Sequence, residues 1–265
     1  MKIAEIGTYL KNILPEDLLH ENLKYTPMLE DGLRFGNGNM EVRGVLVCWM
    51  ATAEAIAYAV FKGCNMIICH EDLWYQSLGA SPDVSVDWPA NSRRRQLLAD
   101  NGVAVYRCHS PLDVLYTVDA ALEAVNLKIK SLYSEWIARV VMTEPVSLAE
   151  LARRTGEAFG TEPQMIGDAS RTVRSVGISL GGMSLSVNAF FNEWLLSQGA
   201  EAVITGEIDE YAMFWAEESG VDIIAAGHAA IENPGLRRFC MRLKSDYPQV
   251  PVYFYECRTP IRHAS

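Results

Sequence analysis

Four short stretches of this chain carry side chains that bind metal or move protons: His70-Glu71, His109 through Asp113, Glu207, and His228 through Glu232. In two of them a histidine precedes a carboxylate by four residues, His109 with Asp113 and His228 with Glu232. That spacing puts both groups on one face of a helical turn, where they can approach a single cation. Imidazole and carboxylate donors without thiolate suit Zn, Mn, Fe or Co. The donors suffice for two ions sharing a bridging carboxylate. Such a pair lowers the pKa of water and holds both attacking and leaving oxygens, which is hydrolase chemistry. A plainer reading stands beside this one: strand-end histidines often serve as hydrogen-bonded structural residues, and Glu207 or Asp113 would also suit the positive end of a helix dipole.

The elements that must hold these residues form an alternating pattern. Gly44–Met50 reads as a buried strand, Thr52 as the N-cap of a helix through Phe61, and Gly63 as its stop before a strand at Asn65–Cys69. A helix beginning at Arg93-Arg94-Arg95 leads to Gly102 and a third strand, Val103–Cys108. The rhythm returns with strands at Val173–Leu180, Ala202–Thr205 and Val221–Ala226 and helices at Asn188–Ser197 and Glu210–Ser219. Helices are also expected at residues 1–12, near Pro15–Asn22, over Ala120–Trp136, and over Ser147–Phe159, where Glu150 completes a capping box. Asp31–Asn39 reads as turns and Asp72–Ser92 as a long loop. The pattern predicts an α/β fold with largely parallel strands, in which ligands bind beyond the carboxyl ends of the strands. All four stretches fall there.

The two halves also align with each other. Gly63-Cys-Asn-Met-Ile-Ile-Cys-His-Glu71 matches Gly199-Ala-Glu-Ala-Val-Ile-Thr-Gly-Glu207 without a gap, and one strand later Gly102-Val leads to His109 as Gly220-Val leads to His228. This repetition predicts two similar α/β domains from an internal duplication. The expected boundaries are 1–128 plus 245–265 for the first domain and 129–244 for the second, with strand Val252–Tyr255 returning to the first.

Composition narrows the function. Of 265 residues 49% are apolar, and 23 Lys and Arg face 33 Asp and Glu, for a formal net charge of −10. This is a globular composition, and its acidity argues against a nucleic-acid partner, which needs clustered cations. Glu5 and Gly7 interrupt the N-terminus where an export signal needs an apolar run, and Thr52 and Glu54 break the longest apolar stretch. No membrane association is expected. Six cysteines without a C-x-x-C pair read as buried thiols of a reducing compartment, the cytoplasm. Trp74, Tyr75 and Trp88 could stack a base and Arg93–Arg95 could meet phosphate. Subunit packing and a solvated helix face account for them more simply.

With Ile67-Ile-Cys-His-Glu71, His109-Ser-Pro-Leu-Asp113, Val203-Ile-Thr-Gly-Glu207 and Ala226-Gly-His-Ala-Ala-Ile-Glu232 in view, the chain resembles the dinuclear-metal-centre hexameric family, the GTP cyclohydrolase I type 2 homologues of the NIF3-like superfamily. The resemblance runs from the first helix to about Tyr255. It implies two divalent metal ions between two α/β domains and assembly as a homo-hexamer. It places the metal ligands on His70, Glu71, Asp113, His228 and Glu232, and puts Glu207 and His109 nearby in proton-transfer or supporting roles. The family has a second histidine where this chain has Glu71, a harder and more anionic donor. The implied function is metal-dependent hydrolysis of a nucleotide or related small heterocycle. The alternative is a non-catalytic metal-binding or regulatory ring.

Overall fold

The computed structural model describes residues 1–14, 31–75, 87–135 and 137–261. The helix expected near Pro15–Asn22, part of the Asp72–Ser92 loop and His263 lie outside them. The chain divides into two compact units, residues 1–115 with 236–257 and residues 116–235 with 258–265.

The first unit opens with α1 (Ile3–Lys11), which buries Ile3, Ile6 and Leu10 along one face. Strand β1 (Gly32–Phe35) precedes β2 (Val45–Cys48), α2 (Ala53–Phe61), β3 (Met66–Cys69), α3 (Pro89–Asn101) and β4 (Ala104–Arg107). The Thr52 hydroxyl accepts the Ala55 N–H at 3.1 Å and starts α2 as expected. Gly102, at φ 59°, ends α3 in the left-handed region. β2, β3 and β4 are buried at every position, as strands covered on both faces must be.

A helical turn at Ser110–Leu112 and a π-helical turn at Asp113–Thr117 run into α4 (Val118–Val125), where the chain enters the second unit. The helix expected over Ala120–Trp136 stops there. Asn126 turns left-handed at φ 53°, and the chain becomes β5 (Ile129–Glu135), antiparallel to β6 (Ala138–Ser147). Ile129, Leu132 and Tyr133 carry helical spacing, but the hairpin ladder overrides it. α5 (Leu148–Phe159) begins at Ser147, whose hydroxyl accepts the Glu150 N–H at 3.2 Å. Then follow β7 (Gln164–Ile166), β8 (Thr172–Ile178), α6 (Ala189–Ser197), β9 (Ala202–Thr205), α7 (Glu210–Ser219) and β10 (Asp222–Ala225). Leu195, Val203, Ala212, Ala216 and Ile223 share this unit's core. α8 (His228–Asp246) carries the chain back, and β11 (Val252–Tyr255) joins the first sheet beside β2.

The first sheet runs β1-β4-β3-β2-β11 and the second β5-β6-β8-β9-β10-β7. In the first, β11, β2, β3 and β4 are parallel and β1 is antiparallel. In the second only β8, β9 and β10 are parallel. The expectation of largely parallel strands therefore holds for the first unit and fails for the second, where the β5–β6 hairpin and β7 add antiparallel ladders. Each sheet contains the same block: three parallel strands joined through helices, with an antiparallel strand beside the third. The mixed α/β class and the two related units are as expected. Asp31–Asn39, expected as turns, contains β1.

Two surface expectations change. Trp74 is buried, edge-on to Phe35 at 6.1 Å, so it packs inside its own unit. Arg94 is no solvated residue. It is buried, donating to the Leu73 carbonyl at 2.7 Å and to the Tyr75 hydroxyl at 2.9 Å, and lies over the Tyr75 ring.

Candidate metal centre

Parallel strands deliver residues to one edge of a sheet, and the backbone ladder continues past the last strand residue. In the first unit the His70 N–H donates to the Cys48 and Trp49 carbonyls at 3.1 and 3.0 Å, and the Glu71 N–H to Trp49 at 2.7 Å. One strand over, the Cys108 N–H donates to Cys69 at 2.9 Å, and the His109 N–H to Asp31 Oδ1 at 2.6 Å. The turn after β4 closes with the Asp113 N–H on the His109 carbonyl at 3.2 Å, which brings Asp113 back over the strand ends.

The side chains converge there. His70 Nε2 lies 3.3 Å from Asp113 Oδ1, and His109 Nδ1 lies 3.7 Å from Asp113 Oδ2. The two imidazoles stack with centroids 4.5 Å apart. His70, His109 and Asp113 each offer a ligand atom, and these lie within 4.8 Å of one another. Glu71 Oε1 stands 3.5 Å from His109 Nε2. Behind them Arg107 donates from Nε to the His70 carbonyl at 3.3 Å and approaches Glu71 and Asp72 at 3.9 Å each. Burial opposes charge on His109, but the carboxylates of Asp113 and Glu71 outweigh it and raise its pKa. Burial raises the Asp31 carboxyl pKa despite its bond to the His109 amide.

The second unit presents its own group. His228 opens α8, with Nδ1 3.0 Å from Glu207 Oε1 and Nε2 3.2 Å from Glu232 Oε1. Glu232 is buried at the next turn. Glu207 follows β9, its N–H donating to the Gly181 carbonyl at 2.8 Å. It does not cap α7, since the Asp209 carboxylate accepts the Ala212 N–H there at 2.9 Å. Gly181, at φ +44°, lies so close that a Cβ on it would run into His228 Nε2 and stand 2.6 Å from Glu232 Oε1. Gly206 occupies the position equivalent to His70, and a Cβ there would meet the His228 Cα at 2.9 Å. The repeat is thus asymmetric for a steric reason.

Each unit collects imidazole and carboxylate oxygen at strand ends, and the second keeps side-chain volume away from its donors. This donor chemistry fits a divalent metal ion. The expected residues His70, Glu71, His109 and Asp113 come together in the first unit, and Glu207, His228 and Glu232 in the second. Asp31 and Arg107 were not singled out from sequence. Arg107 left a signal, a cation near the end of the otherwise uncharged run Val103–Cys108.

The model of the Duf34/NIF3 (NGG1p interacting factor 3) family matches residues 1–260. The chain belongs to the Duf34/NIF3 family. A family relative from Escherichia coli K12, named GTP cyclohydrolase 1 type 2 homolog, is 28% identical over 236 residues, covering 86% of this chain and 91% of that protein. A relative of the same name from Pseudomonas aeruginosa is 25% identical over 237 residues, covering 84% and 87%. The crystal structure of a Bacillus cereus protein related to NIF3 superposes with a TM-score of 0.78 at 15% identity, covering 100% of this chain and 99% of that one. That likeness speaks for the fold. No described helix is long and apolar enough to cross a membrane.

Proposed function

We propose that this Duf34/NIF3 chain binds divalent metal through His70 and Asp113 in one unit and His228 and Glu232 in the other, and hydrolyses a nucleotide or related small heterocycle. The observation that carries the reading is the convergence of His70, His109 and Asp113 at the strand ends of the first unit. A bound divalent ion would supply Lewis acidity toward water and a substrate oxygen. Asp113 and Glu232, both buried, bring the negative charge that a cation compensates. Glu207, the most accessible of these carboxylates at 45% side-chain exposure, orients His228 through Nδ1 and is the group we assign to proton transfer. Two ions per chain, of Zn, Mn, Fe or Co, and a homo-hexamer belong to this proposal. Phe190, Tyr211 and Phe214, each more than 60% exposed, supply apolar surface for assembly. The buried thiols agree with a cytoplasmic setting.

Glu71 favours a second reading. With a carboxylate where the family resemblance has histidine, the chain could hold metal as a non-catalytic ring. One experiment separates the two. Protein stripped with chelator and reloaded with Mn, Zn, Fe or Co is assayed for metal content and for turnover of a nucleotide panel. Turnover dependent on metal and lost in Glu207→Gln supports the hydrolase. Stoichiometric metal without turnover supports the ring, and failure to retain any metal refutes both.

A further inference from the structure

The cluster of the first unit has a second imidazole that the ligand set above does not use. Donor atoms about 2.1 Å from one cation lie about 3.0 Å apart at octahedral angles and about 3.4 Å apart at tetrahedral ones. Asp113 has an imidazole nitrogen at 3.3 Å from one oxygen, His70 Nε2, and another at 3.7 Å from the other, His109 Nδ1. Each separation lies within a few tenths of an ångström of what two donors to one ion require, so either imidazole can hold a cation together with this carboxylate. The remaining nitrogen of His109 faces a carboxylate, with Glu71 Oε1 at 3.5 Å from Nε2. Glu71 in turn has its other oxygen 3.9 Å from Arg107 Nη2, and Arg107 Nε donates to the His70 backbone. A metal-bound histidine commonly donates its second N–H to a carboxylate, which selects the tautomer and fixes the ring.

We propose that His109 is a metal ligand through Nδ1, with Glu71 as the carboxylate partner of its Nε2–H and Arg107 as the residue that positions Glu71. On this assignment the imidazole missing at position 71 is supplied from the neighbouring strand. Glu71 changes from a ligand into the support of one, and His109 leaves the proton-transfer role that sequence similarity implied for it. The inference rests on the metal-binding reading of the preceding section.

The test is titration of the full-length, metal-stripped protein with Co(II) against a competing chelator, for the unmutated chain, His109→Asn and Glu71→Gln. His109→Asn should weaken Co(II) binding about a hundredfold or more and shift the visible d–d bands. Glu71→Gln keeps an acceptor for Nε2–H, so it should weaken binding about tenfold and leave the bands in place. If Glu71→Gln costs as much as His109→Asn or moves the bands, Glu71 is the ligand and the proposal falls. It falls equally if His109→Asn stays within about threefold of the unmutated chain. Circular dichroism checks the fold of each variant. Should His109→Asn not fold, the unmutated protein, labelled with 15N-histidine and titrated with Zn(II), answers the question. His109 Nδ1 should move to the metal-bound shift range with Nε2 still protonated, and an unmoved His109 overturns the proposal. Absence of Co(II) binding by the unmutated chain refutes the metal reading itself, an outcome distinct from any difference between variants.

Discussion

Replacing Gly181 by alanine adds one methyl group at the second unit's donors. At φ +44° the new side chain sits in the left-handed region, which costs alanine about 1–2 kcal/mol. Its Cβ would stand 2.6 Å from Glu232 Oε1, against an ordinary contact distance of 3.4–4 Å, and would also overlap His228 Nε2. Both groups must therefore retreat by roughly 0.8 Å or more, several times the tolerance of about 0.2 Å within which metal–ligand distances are held. Gly181→Ala should accordingly weaken metal binding at least about tenfold, comparable to losing a supporting hydrogen bond at a metal site. The melting temperature should fall by only about 2–8 °C, the equivalent of the backbone cost in a chain of this size. The assay pairs metal content after dialysis with a thermal melt of metal-free protein. Gly182→Ala is the control, since its Cβ meets only the Leu185 side chain, at 3.0 Å, and it should leave metal content unchanged. Unaltered metal affinity in Gly181→Ala would refute the assignment of His228 and Glu232 as ligands.

Two further outcomes follow from side chains outside the donor set. All six cysteines are free and buried, and burial raises every thiol pKa, that of Cys64 to about 11 and of Cys69 to about 12. At pH 8 a thiol of pKa near 11 is about 0.1% thiolate, so a thiol reagent should label native protein negligibly and all six sites after denaturation. Because these pKa values are raised on folding, the thiols leave stability unchanged below pH about 8.5 and erode it as pH climbs beyond, which alkaline melts would reveal. Arg94→Ala should cost about 2–3 kcal/mol by removing the bonds to Leu73 and Tyr75, read by denaturant unfolding, with metal content intact. Lost nucleotide binding without lost stability would instead revive Arg94 as a phosphate contact.

The sequence was most legible where one signal dominated. β2, β3, β4, β9 and β10 are short apolar runs closed by glycine or polar residues, and strands buried on both faces need little else to be recognised. The N-caps Thr52 and Ser147 mark their helices because a hydroxyl two to three residues before a free amide has few other uses. The β5–β6 hairpin was not legible. The pairing that stabilises it lies between strands, and Ile129, Leu132 and Tyr133 imitate a helical stripe. β1 was likewise hidden among glycines, since its partner β4 lies about 70 residues away in sequence and local propensity carries no trace of the ladder.

Sequence alone determined which residue types stand at the strand ends and in what order, because periodicity and spacing are local properties of the chain. His70, Glu71, His109, Asp113, Glu207, His228 and Glu232 could be named on that basis, while the departure at Glu71 shows only against the family resemblance. What each side chain faces was decided only by tertiary structure. Strands distant in sequence set His109 and Asp113 against His70 and Glu71, and carried Arg107 and Asp31 in behind them. Such distances depend on sheet register and on backbone carbonyls that no motif encodes. The same holds for Gly181, whose lack of a side chain matters because His228 and Glu232 fold into the space where one would stand, and for Gly206, which the Gly181 backbone and the His228 Cα crowd.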